Sequence, residues 1–249
     1  MTKLSININK IALLRNSRGR NFPNVFNFAQ RCLELGAHGI TLHPREDQRH
    51  ARYSDVAELQ ALCRERGAEL NVEGYPSEHF LNVVGQARPA QCTLVPDAPG
   101  QLTSDHGWNF RNEKALLAPV IARLKDLGIR TSLFVDYDNT ELECARELGA
   151  DRIELYTEPY AAHFGEQEES AIWQGFHDAA VHAQGLGLGV NAGHDLNLEN
   201  LGRFLEIEGI LEVSIGHAFV VECVEYGVEN VMARYGSLIN CQAQRFNYD

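Results

Sequence analysis

Apolar runs recur along this chain, and each stops at a polar residue able to do chemistry. Leu4-Ser-Ile-Asn-Ile-Asn9 carries Asn7 and Asn9 at its end, and Gly39-Ile-Thr-Leu-His43 ends at His43. Glu69-Leu-Asn-Val-Glu73 ends at Glu73, and Arg152-Ile-Glu-Leu-Tyr156 carries Glu154. Leu188-Gly-Val-Asn191 runs into Gly193 and His194, and Leu211-Glu-Val-Ser-Ile-Gly216 runs into His217. Between the runs a phrase repeats: Glu34-Leu-Gly-Ala37, Glu65-Arg-Gly-Ala68, Asp126-Leu-Gly-Ile129, Glu147-Leu-Gly-Ala150 and Gly185-Leu-Gly-Leu188. Each glycine follows an amphipathic stretch and precedes an apolar run, the signature of a helix closing on a left-handed residue and passing into a strand.

This pattern predicts strands near 4–9, 38–43, 69–73, 91–95, 130–135, 152–156, 188–191 and 211–215. Helices are expected near 22–35, 55–66, 77–86, 112–127, 139–148, 167–185, 197–206 and 218–235. Ser77 and Asn197 suit the N-caps of the third and seventh helices. Pro119 inside the fourth predicts a kink or a late start. Such alternation implies an α/β protein with a parallel sheet. Polar residues gathered at the carboxyl ends of many strands point to a (β/α)8 TIM barrel, whose active site lies at that face. A doubly wound open sheet is the competing architecture. It would carry a Gly-rich fingerprint after the first strand, where this chain has Lys10-Ile-Ala-Leu-Leu-Arg15.

The 249 residues match one barrel, and residues 1–249 are expected to form a single domain. No apolar stretch approaches a membrane span, and the start is too polar for a signal peptide, so a cytoplasmic location is expected. The six scattered cysteines argue against a disulfide framework or a structural zinc site. A net charge of −12 disfavours nucleic acid and anionic membranes as partners.

Against that acidity, Arg15, Arg18 and Arg20 stand out, as do Arg45, Arg49 and His50. Read alone, each run is a solvated loop; following a strand, each is also a candidate anion site, because guanidinium forks match phosphate. Glu73 and His43, at strand ends beneath loops, are candidates for proton transfer. Glu154 sits mid-strand, where a purely structural role in the interior competes. The segments Val190-Asn-Ala-Gly-His-Asp195 and Ile215-Gly-His-Ala218 follow the last two strands, where barrels bind phosphate through backbone N–H groups. Asp97 to Trp108 forms a long loop after the fourth strand, and loops of that length are usually functional. From His43, Glu73, Glu154, His194 and His217 a two-histidine, two-carboxylate metal site could also be drawn, as in barrel isomerases and aldolases.

The motifs Asn7-Ile-Asn-Lys-Ile-Ala-Leu-Leu-Arg-Asn-Ser-Arg-Gly19, Gly39-Ile-Thr-Leu-His-Pro-Arg-Glu-Asp-Gln-Arg-His50 and Asn71-Val-Glu73 occur in order with Leu94-Val-Pro96, Thr103, Val190-Asn-Ala-Gly-His194 and Ile215-Gly-His-Ala218. Together they resemble the pyridoxine 5′-phosphate synthase family of vitamin B6 biosynthesis, over nearly the whole chain. The resemblance implies a (β/α)8 barrel whose dimers assemble to a homo-octamer and that uses no metal or organic cofactor. It implies condensation of 3-amino-2-oxopropyl phosphate with 1-deoxy-D-xylulose 5-phosphate. By that resemblance, His43, Glu73 and His194 are the acid/base residues, and Glu154 stabilises the transition state. Asn7, Arg18, Gly216 and His217 would hold the amino ketone phosphate, whereas Arg45, His50 and Thr103 would hold the xylulose phosphate. Two positions depart from the family pattern. Many members have Asp-His at Asn9-Lys10, which would touch the xylulose phosphate, and many have glycine at Asp195. The Asp195 side chain is expected to turn away, leaving only its N–H to the substrate.

A metal-dependent barrel isomerase and a non-catalytic phosphometabolite-binding barrel stay open as rival readings. The first requires stoichiometric divalent metal, and the second requires binding without turnover.

Overall fold

The structure, a computed structural model, describes residues 1–97, 100–101 and 103–245. Its elements alternate. β1 (Lys3–Asn7) leads into α1 (Asn9–Asn16) and α2 (Val25–Glu34), then β2 (Gly39–Leu42), α3 (Tyr53–Arg66), β3 (Glu69–Gly74) and α4 (Glu78–Ala87). β4 (Gln91–Leu94), α5 (Phe110–Asp126), β5 (Arg130–Val135), α6 (Leu142–Glu147) and β6 (Arg152–Tyr156) follow. The chain continues through α7 (Glu158–Ala162), α8 (Glu169–Gly185), β7 (Gly189–Gly193), α9 (Leu201–Phe204), β8 (Ile210–Ile215), α10 (His217–Tyr226) and α11 (Val228–Arg245). The strands pair in sequence order and close, β8 against β1, into a parallel eight-stranded barrel. The open-sheet alternative is therefore excluded.

Successive strand residues face opposite sides. One set, including Leu4, Ile6, Ile40, Leu42, Leu70, Val72, Leu133, Ile153, Leu155, Val213 and Ile215, joins the helices in the main hydrophobic core. The other set is largely polar and points into the barrel. At its amino-terminal end Arg130 pairs with Glu69 and donates to Gln91 at 2.9 Å, and Arg152 donates to Asn191 at 3.0 Å. One level up, Ser5 and Thr41 hydroxyls lie 2.7 Å apart, and Thr93 donates to Asn71 at 3.0 Å. Hydrophobic burial thus lies outside the strands, and hydrogen bonding fills the inside.

Several boundaries differ from expectation. β1 ends at Asn7, and the stretch holding Asn9, Lys10 and Arg15 is helix α1 rather than the end of a strand and a loop. Arg15 is buried and pairs bidentately with Asp55 on α3 at 2.7 and 3.0 Å, so it joins two helices and is unavailable to an anion. The seventh helix is only Leu201–Phe204. Asn197 instead caps the turn ahead of it, accepting from Glu199 and Asn200 N–H groups. The Ser77 cap is present, accepting from Phe80 N–H at 3.3 Å. α5 begins at Phe110, earlier than Pro119 suggested, and continues through that proline. The final helix divides at Gly227, whose φ of 80° is outside helical space. In the long loop after β4, positions 98, 99 and 102 lie outside the described residues. Among the described residues, no helix is long and apolar enough to cross a membrane.

Candidate active site

The carboxyl ends of the strands bring the singled-out residues to one face. His43, just past β2, is buried, and its backbone N–H donates to Asn9 Oδ1 at 2.9 Å. Asn9 is itself held when its N–H donates to Asn7 Oδ1 at 3.0 Å. The first turn of α1 therefore fixes the backbone from which His43 projects. Lys10 is exposed on the same turn.

Glu73 on β3 turns its Oε2 toward His43 Nδ1, 4.0 Å away, and accepts from Asn7 Nδ2 at 3.5 Å. Burial, reinforced by Asp97, raises the Glu73 carboxyl to about 8. Glu154 on β6 lies one level deeper, accepting from Thr93 Oγ1 at 3.3 Å. Burial first, then the Glu73 and Glu212 carboxyls, push it well above the usual carboxylate range. It points into the barrel, as the mid-strand position suggested. Gly193 on the adjoining β7 makes room for it, because a Cβ there would lie 2.5 Å from Glu154 Oε1.

His194 follows β7 with a φ of 83°, a conformation that non-glycine residues adopt at a cost. Thr157 holds it there, its hydroxyl bonding the carbonyls of Gly193 and His194. The imidazole packs against Phe134 and Tyr156, with ring centroids 4.9 and 5.3 Å away. Burial lowers the His194 imidazole, and burial together with Arg45, His50 and His194 lowers His43 well below its ordinary value. Near neutrality the site thus holds neutral imidazoles beside protonated carboxyls, so proton donors and acceptors coexist.

Asp195 follows with a φ of 59° and an exposed side chain. Such a left-handed backbone favours glycine, and aspartate is among the residues that tolerate it. Across the barrel seam, Gly216 precedes α10 and approaches Asn7, where an added Cβ would meet the Asn7 side chain at 3.2 Å. Among the described residues no side chain caps α10, which leaves its first N–H groups, at His217 and the residues after it, without a capping acceptor. Arg18 is exposed beyond α1.

A cavity of about 260 Å³ opens beside His43, lined by Arg45, Arg49, Tyr53, Tyr75 and Asp97 among others. Arg45 forms an ion pair with Asp97 and donates to the Gln101 carbonyl at 3.3 Å. Asp97 also accepts from Ser104 Oγ at 2.8 Å. His50 lies behind His43, ring centroids 6.1 Å apart, and burial with Arg45 and Arg49 lowers it to about 4. Thr103 is exposed on the loop and is not among the residues lining this cavity. Sequence reasoning missed Asp97 as a site residue, although it too is a polar residue closing an apolar run. Among the described residues, no three His, Cys, Asp or Glu side chains gather as a metal-binding group, so the five-residue metal set does not assemble.

The family model for pyridoxal phosphate biosynthesis protein PdxJ matches residues 4–241. The chain is 50% identical to pyridoxine 5′-phosphate synthase of Parabacteroides distasonis, over 96% of this chain and 100% of the relative. It is 51% identical to the enzyme of the same name from Xanthomonas campestris pv. campestris, over 96% of each. Among solved structures it resembles thiamine phosphate pyrophosphorylase from Pyrococcus furiosus, with a TM-score of 0.65 at 16% identity over 96% of each chain. A mutant tryptophan synthase alpha-subunit from the same organism gives 0.64 at 14% identity, over 96% of this chain and 98% of that one. Those two likenesses concern the fold alone. The matched family model and relatives of half-identical sequence over nearly full length establish that this chain is an enzyme of the PdxJ family of pyridoxal phosphate biosynthesis.

Proposed function

We propose that the chain, as one catalytic barrel of residues 1–249, is a pyridoxine 5′-phosphate synthase. It would condense 3-amino-2-oxopropyl phosphate with 1-deoxy-D-xylulose 5-phosphate, giving pyridoxine 5′-phosphate, phosphate and water. One observation carries the reading: His43 and Glu73 meet at 4.0 Å beside a cavity whose wall bears Arg45 and Arg49. The reaction needs protons given and taken at successive carbons while two phosphates are held.

The amine of one substrate attacks the ketone of the other, and water leaves as the Schiff base forms. The Glu73–His43 pair gives its proton to the departing oxygen, and the pair or neutral His194 then accepts the proton released from carbon or nitrogen. Elimination then expels inorganic phosphate from the xylulose-derived carbon chain, the departing group being held by Arg45, His50 and Thr103, and ring closure releases a second water. Asn7, Arg18, Gly216 and His217 keep the other phosphate, with the Asp195 N–H beside it. Asn9 and Lys10 meet the xylulose chain. Protonated Glu154 supplies a hydrogen bond from below to charge that develops on the closing ring.

The enzyme is expected to work in the cytoplasm as a homo-octamer assembled from dimers, and sedimentation velocity measures its assembly. Purified protein given both substrates should release equal amounts of pyridoxine phosphate and inorganic phosphate. Binding of both substrates without either product would favour the non-catalytic alternative.

A further inference from the structure

His43 lies between two carboxyl groups. Its Nδ1 is 4.0 Å from Glu73 Oε2, and its Nε2 is 4.0 Å from Asp97 Oδ2. Both distances exceed a hydrogen bond by roughly 1 Å. Asp97 meanwhile holds Arg45, yet that ion pair is incomplete. Asp97 Oδ1 and Arg45 Nε are both buried with no hydrogen-bond partner among the described residues. A buried pair is secure only when its remaining donors and acceptors are satisfied. These two groups are therefore poised to change partners.

We propose that Asp97 is a positioning residue that exchanges Arg45 for His43 when a phosphorylated substrate binds, accepting a hydrogen bond from His43 Nε2–H. This rests on the reading above, in which Arg45 meets the sugar phosphate. A phosphate dianion offers the guanidinium a two-pronged partner and competes with the single Asp97 contact. Once Arg45 turns to it, Asp97 becomes a buried carboxylate that, among the described residues, retains the Ser104 hydroxyl as its donor. Such a charge is costly unless it gains a donor, and His43 Nε2 is the ring nitrogen facing it.

The exchange changes what His43 can do. A carboxylate on Nε2–H stabilises the imidazolium, so Nδ1 becomes a stronger base toward Glu73. The proton on Glu73 Oε2 passes to His43 Nδ1, leaving a carboxylate ready to take a proton from the substrate. No proton enters from outside. Phosphate capture at one end of the cavity thereby arms the proton-transfer pair at the other. The other groups facing His43 are Arg45, Arg49 and His50 from the segment after β2 and His194 after β7. The three cationic or basic groups after β2 oppose its protonation, so withdrawing Arg45 toward phosphate acts in the same direction as freeing Asp97.

The test compares wild type with Asp97→Asn, full length, with ¹⁵N-labelled histidines and with inorganic phosphate as the probe. In wild type, phosphate should raise the His43 titration midpoint by about one unit or more, the scale of a nearby opposite charge. In Asp97→Asn, phosphate should bind several-fold more tightly, because Arg45 is already released, and the midpoint should not rise. Steady-state kinetics should follow, with kcat down about tenfold or more and KM for the sugar phosphate unchanged or lower. Asp97→Ser gives the same readout if the asparagine variant does not fold. An equal rise in both proteins would overturn the exchange while leaving Arg45 as a phosphate ligand. Failure of phosphate to bind, or binding indifferent to Arg45→Lys, would overturn the exchange together with the assignment of Arg45.

Discussion

Glu73 Oε2 and His43 Nδ1 face each other across 4.0 Å at the tops of neighbouring strands, both buried. With Glu73 raised to about 8, the pair is at neutral pH a carboxylic acid beside a neutral imidazole. If Glu73 is the proton donor of the resting enzyme, kcat/KM should fall on an alkaline limb centred near pH 8. Glu73→Gln should fold, lack that limb and lose about 10²–10⁴ in kcat. Near wild-type turnover in this variant would remove Glu73 from the mechanism.

The same shift bears on stability. A carboxyl raised from 4.5 to about 8 binds a proton in the folded state that the unfolded chain has released. Its contribution is complete below pH 4.5 and is lost as the pH rises through 8. Glu154 and Glu212 are shifted in the same direction, chiefly by burial. The melting temperature of wild type relative to Glu73→Gln should therefore decline between pH 4.5 and pH 8 and level off above that. A flat profile over that range would show that these carboxyls ionise without penalty.

Arg45 is tied to both binding and folding. Arg45→Lys keeps a charge but loses the fork, and should weaken the xylulose phosphate by roughly 1.5–3 kcal/mol. Arg45→Ala also strands the buried Asp97 carboxylate, and should lower stability by about 3–5 kcal/mol in chemical denaturation. If Arg45→Lys raises KM only for the amino ketone, the two phosphate sites have been exchanged.

Gly193→Ala tests the packing beneath His194. The added methyl would lie 2.5 Å from Glu154 Oε1, so the carboxyl or β7 must move. Overpacking of this kind costs about 1–3 kcal/mol, and kcat should fall with it. Calorimetry and turnover together check this. Unchanged values for both would mean that Glu154 relocates freely and has no fixed role.

Metal dependence is open to a direct measurement. Exhaustive chelation should leave activity intact, with elemental analysis finding well under one metal per chain. Activity lost to a chelator and restored by a divalent ion would favour the metal-dependent alternative.

The strands were legible because their outer faces are apolar and their inner ends are chemical. The same rule applied to Gln91-Cys-Thr-Leu-Val-Pro-Asp97 points to Asp97, but Pro96 and the long loop beyond made that residue look like the start of a connection. Arg15 could not be sorted from Arg18 by sequence, since only the fold brings Asp55 beside one of them. Helix α1 was hidden by its short length, eight residues, and by the lack of a capping side chain at Ile8. Asn9 also anchors the site, its side-chain oxygen accepting from the His43 backbone N–H, a contact between residues 34 positions apart. Long-range pairing of this kind leaves no periodic trace.

β1 and β8 form the seam of the barrel, and there Asn7 meets Gly216, residues from opposite ends of the chain. A nascent polypeptide therefore cannot assemble this corner until β8 and Gly216 have left the ribosome. Before then the first strand presents an unpaired edge. The catalytic face thus exists only for a completed, closed ring, and a product truncated before β8 would be inert whichever acid/base side chains it retained.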